Sequence, residues 1–132
     1  PEGLIPESIR YARHYIWLNN HYFISHDNIL LIGPQTDAVL ARYNSPAGRL
    51  VLVLVNYADS QKAKTAEANF MKNYIPDSLS GIKRQKNGRF SGACRIGAGL
   101  ALVFDAPDKH ALEEMLARAV ETRAPAAWRS HE

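Results

Sequence analysis

Cysteine occurs once in this chain of 132 residues, at Cys94, so no disulfide can form within it. A lone thiol also says little about redox compartment. Long apolar runs are missing as well. The most continuous one, Leu50 to Val55, stops after six residues, far short of a membrane-spanning helix. Neither a Ser-centred nucleophile elbow nor an HExxH pair occurs, and no two acids share an obvious face, so no catalytic residue is assigned. The glycines do not form a dinucleotide fingerprint, because Gly97 and Gly99 fall between two apolar runs that read as strands rather than between a strand and a helix, and Gly92 lies inside one of those runs. Between Ser78 and Phe104 there is no acidic residue at all, whereas Lys83, Arg84, Lys86, Arg89 and Arg95 all fall in that interval.

What is present describes a packed domain. Apolar content of 46%, charged content of 22% and a net charge of +3 are ordinary for a soluble globular protein of one-domain size. Leu50-Val51-Leu52-Val53-Leu54-Val55 reads as a central strand, with leucines on one face and valines on the other. Both faces therefore need covering. Thr36 to Tyr43 alternates and pairs with it through a turn over Asn44 to Gly48. Asp59 or Ser60 caps a helix with Ala63, Ala66, Phe70, Met71 and Tyr74 inward, and Pro76 stops it.

The pattern then restarts. Asn87-Gly88 predicts a type I′ hairpin joining Ile82–Lys86 to Arg89–Ile96, followed by a Gly97-Ala98-Gly99 turn and the strand Leu100–Phe104. Pro107 at the first helical position and Asp108 in the first turn open a second helix, with Leu112, Met115, Leu116 and Ala119 inward. Upstream, Ile9, Ala12 and Ile16 after Ser8 fit a short helix, and Tyr22–Ile24 and Ile29–Ile32 read as short strands. The expected fold is α+β: an antiparallel sheet of about six strands, both helices on one face, and an internal β-β-β-α duplication at a period near fifty residues. One domain divides into an N-terminal segment (1–35), a first half (36–76), a second half (77–122) and a tail (123–132). The N-terminal segment or a second subunit is expected to cover the remaining face.

Residues 36–74 and 82–120 resemble a bacterial family of unknown function whose members are often exported. The resemblance is carried by Asp37-Ala38-Val39-Leu40-Ala41-Arg42-Tyr43, by the Leu50–Val55 strand running into Tyr57, and by Val103-Phe104-Asp105-Ala106-Pro107. In outline the arrangement is also similar to the photosystem-associated PsbP class, mostly binding domains. The resemblance implies an exported, extracytoplasmic domain and brings no functional residues with it. A start at Pro1 without methionine leads to the same expectation of a processed product.

His14, His21 and His26 beside Asp27 are metal-ligand types, but their spacings of seven and five fit no compact motif, so no metal and no cofactor is assigned. Cys94 lies within a strand with Arg95 on the opposite face, which describes a structural thiol. The basic interval is the one compositional anomaly. Lys83, Arg84, Lys86, Arg89 and Arg95 around Phe90 form a candidate anion-binding hairpin, against the plainer reading of a charged edge that discourages aggregation. Modest total charge disfavours nucleic acid. The expected function is noncatalytic binding of an anionic ligand or a protein partner. The alternatives are a small enzyme with a site assembled from distant residues, involving His14, His21 or Asp27, and a self-associating domain.

Overall fold

The computed structural model describes residues 3–12, 28–33, 35–76 and 81–123. Its elements are β1 (Leu4–Ala12), β2 (Asp37–Ser45), β3 (Gly48–Asn56), α1 (Ser60–Asn73), β4 (Ile82–Arg84), β5 (Phe90–Ile96), β6 (Gly99–Ala106) and α2 (Lys109–Arg123). The six strands form one antiparallel sheet in the order β1-β2-β3-β6-β5-β4. The Leu50 strand is central, with β2 on one side and β6 on the other. Pro6 falls where β1 shifts register against β2, on an edge strand, a position that suits a residue with no N–H for the ladder.

The two faces of β3 enter two different cores. Val51, Val53 and Val55 join Leu100, Leu102 and Phe104 of β6 beneath Ala63, Ala66 and Phe70 of α1. Leu50 and Leu52 join Ala101 and Val103 beneath Leu112, Met115, Leu116 and Ala119 of α2. The helices therefore lie on opposite faces, which corrects the expectation that both pack on one. The second face is covered by α2, so neither the N-terminal segment nor a second subunit is needed for that purpose.

The switch of face sits at one residue. In a regular strand, residues two apart share a face, yet Phe104 packs under α1 and Ala106 under α2. Between them Asp105 has φ +57°, and Phe104 and Asp105 together stand opposite the single residue Ser91, since Phe90 pairs with Ala106 and Gly92 with Val103. This is a β-bulge, which re-aims the chain that follows. In the first half, Val55 and Tyr57 stay on the same side and α1 follows them. The strand order mirrors about the β3–β6 seam as a β-β-β-α repeat would, but a two-fold through that seam would keep both helices on one side. The duplication is not established.

Asp59 caps α1 by accepting from the Lys62 N–H at 2.8 Å. Asp108 is the cap of α2, accepting from the Ala111 N–H at 2.7 Å; Pro107 precedes it and is not helical. The Asn87-Gly88 hairpin is real but not type I′. Gln85 donates its N–H to Arg89 O at 2.7 Å and accepts from Gly88 N at 2.9 Å, and Gly88 alone has positive φ, +84°. That is a three-residue loop, a tight turn followed by a left-handed glycine.

Two upstream expectations fail. Residues 8–12 belong to strand β1, not a helix, and residues 13–16 lie outside the described residues. Ile29–Ile32 is a loop with Ile29, Leu30 and Ile32 buried, not a strand: the Asn28 side chain donates to Ile32 O at 2.8 Å and accepts from Ile32 N at 3.0 Å, closing it as a strand partner would. Tyr22–Ile24 also lies outside the described residues.

Candidate functional site

The basic residues of the 78–104 interval do not form one cluster. Lys83 and Arg84 are neighbours on β4 and so face opposite sides of the sheet; Ile82 on the α2 side places Arg84 with it and Lys83 on the α1 side. Lys86 and Arg89 are exposed at the β4–β5 loop. The Arg84 guanidinium lies 3.7 Å from where a side chain at Gly88 would begin, so it reaches back over the loop. Arg89 is pinned, its Nη1 donating to Asp105 O at 3.0 Å and tying the loop to the bulge of β6. The Asn87 side chain accepts from Arg89 N at 2.9 Å and stiffens the loop further.

Arg95 is not part of this group. It is the penultimate residue of β5, at the opposite end of the sheet, roughly 20 Å from Arg89 at the usual rise per residue. There it lies 3.8 Å from Glu67 of α1 and donates to Gly97 O at 3.1 Å. The sequence placed it with the hairpin because it is close in number.

Two cations missed by sequence reading reach the hairpin end. Arg49 follows Gly48, whose position abuts Pro107, and Lys109 opens α2 just after that proline. Only the pairing of β3 with β6, which sets Val51 against Phe104, reveals this proximity. Asp105 and Asp108 stand at the same end and temper its charge, the latter engaged as a helix cap. The result is an end surface carrying Arg49 on β3, Arg84 on β4, Lys86 and Arg89 at the hydrogen-bonded turn, and Lys109 at the start of α2.

Cys94 is half-buried on β5, its Sγ 3.8 Å from Arg95 O. Burial pushes the thiol above its ordinary pKa, Glu67 adds to that, and Arg95 opposes it. A thiol shifted upward is a poor nucleophile. His14, His21, His26 and Asp27 lie outside the described residues; among the described residues, no three His, Cys, Asp or Glu side chains are grouped to hold a metal ion. No described helix is long and apolar enough to cross a membrane. No family model matches the chain, and no curated protein or solved structure does.

Proposed function

We propose that this chain is a noncatalytic, extracytoplasmic binding domain that takes an anionic ligand at the β4–β5 end of its sheet. The observation that carries the reading is the hydrogen-bonded loop there: Arg84 at the end of β4 and Lys86 and Arg89 at the turn after it are exposed, and the turn is held by backbone hydrogen bonds and by the Arg89 link to Asp105. Cations on a rigid support lose less side-chain entropy when they meet an anion than cations on a floppy one. Extracytoplasmic placement and bacterial origin rest on the family resemblance at Asp37–Tyr43, Leu50–Tyr57 and Val103–Pro107. The self-association reading loses its main argument, because the second apolar face of β3 is buried under α2.

The test is a thermal-shift titration of the chain with phosphates, acidic sugars and heparin at low and high salt, since a ligand of the folded state raises its midpoint. A salt-sensitive rise that is abolished by Arg84→Ser with Lys86→Ser and Arg89→Ser supports the reading. Unaltered binding in that variant removes it.

A further inference from the structure

The two helices lie on opposite faces of the sheet and differ in charge. On α1, Lys62, Lys64 and Lys72 are exposed; the exposed acid beside them is the cap Asp59, engaged with the Lys62 N–H, and the acid within the helix, Glu67, is half-buried and faces Arg95. On α2, through residue 120, Lys109, Glu113 and Glu114 are exposed, the exposed cap Asp108 adds a third acid, and Arg118 is half-buried over the Tyr43 ring. Strand alternation adds to the α1 side. Arg42 pairs with Val51 and shares its face, Arg49 alternates with the α2-facing Leu50, and Lys83 alternates with Ile82. The cations thus gather on one broad side of the molecule.

The loop that packs into the α1 core carries an exposed leucine. Ile29, Leu30 and Ile32 are buried in the α1 core, while Leu31 between them is 38% exposed with φ +54°. A left-handed leucine costs energy, and the loop is held in place by the Asn28 bracket, by Tyr57 Oη donating to Leu30 O at 2.6 Å, and by Thr36 bonding both N–H and C=O of Gly33. The loop adjoins the first turn of α1, where Lys62 Nζ donates to Gln35 Oε1 at 3.4 Å. An apolar tip beside exposed lysines matches the chemistry of a bilayer interface, in which cations meet phosphates and an aliphatic group enters among the headgroups.

We propose that the α1 side is a peripheral docking surface for an anionic lipid bilayer. Lys62, Lys64 and Lys72 lie over the headgroups and Leu31 enters their layer. A soluble polyanion would engage the lysines equally but would gain nothing from Leu31, so the leucine separates the two. Arg49 lies where this side meets the hairpin end, but Lys62, Lys64, Lys72 and Leu31 are not among the hairpin-end residues, so separate variants test the two proposals.

The experiment is co-sedimentation with vesicles of equal phosphatidylglycerol and phosphatidylcholine, with pure phosphatidylcholine vesicles and soluble heparin as comparisons. Binding is expected to the anionic vesicles only, and to weaken with salt. Each lysine near an anionic surface adds about fivefold to partitioning. Changing Lys62, Lys64 and Lys72 together to Gln, which keeps helix propensity, is expected to weaken vesicle binding on the order of a hundredfold. Leu31→Asn, a residue that tolerates left-handed backbone, is expected to weaken it about fivefold while leaving heparin unaffected. Thermal midpoints confirm that the variants fold. No binding to anionic vesicles, or an unchanged triple variant, overturns the proposal. So does a Leu31→Asn protein that binds vesicles as the unaltered chain does, which would assign the lysines to soluble polyanions. Loss of vesicle binding in the Arg84, Lys86 and Arg89 variant, with the α1 variant unaffected, would instead move the lipid contact to the hairpin.

Discussion

Tyr57 leaves the end of the central strand buried, and its hydroxyl donates to the Leu30 carbonyl at 2.6 Å. Removing that hydroxyl with Tyr57→Phe takes away a buried hydrogen bond and is expected to cost about 1–2 kcal/mol in chemical denaturation. Burial also pushes the phenol far above its ordinary pKa, and Tyr43 is raised by burial too, partly offset by the Arg118 guanidinium that lies 5.5 Å from its ring centroid. The folded chain therefore keeps protons that the unfolded chain releases. The associated stability is complete below the unfolded pKa of about 10 and is lost as pH rises beyond it. Melting temperatures are expected to fall through that alkaline range, and to fall less in Tyr57→Phe. Cys94 behaves likewise at lower pH: its raised thiol pKa predicts slow alkylation of the native protein and rapid alkylation in denaturant, read by mass spectrometry.

At the scale of elements, both helices begin on an aspartate cap. Asp59→Ala and Asp108→Ala are each expected to cost about 1 kcal/mol, with Asn at either position retaining most of it. Asp105 carries a different load. At φ +57° a glycine is accommodated, whereas Asp105→Val forces a β-branched residue into left-handed backbone and is expected to cost about 1–3 kcal/mol in urea melts. The elements themselves were legible because β2, β3, β6 and the helices bury apolar residues at regular periods. Their sidedness was not. The period of two in β6 predicts Ala106 beside Phe104, and one bulged residue overrides it without altering the apolar pattern. Ile29–Ile32 misled for a related reason, since its apolar run reports burial while the Asn28 side chain supplies the pairing that a strand would have used.

For the whole molecule, the candidate site was half legible. The run of cations around Asn87-Gly88 marked the right loop, but proximity in number admitted Arg95, which belongs to the other end, and omitted Arg49 and Lys109, which arrive through strand pairing. The charge difference between the two broad sides was invisible until each helix had been assigned to its own. With α2 over the second face, light scattering is expected to give a monomer mass at accessible concentrations; a dimer would require an interface other than the sheet faces. The opposed helices also mean that the halves are not interchangeable parts. A tandem chain built from two copies of the first half would lack the left-handed Asp105, so both helices would land on the same side and Leu50, Leu52 and their mates would meet water. The domain works only as a right hand and a left hand joined at β3 and β6, and a graft of either half onto itself would leave a sticky, open palm.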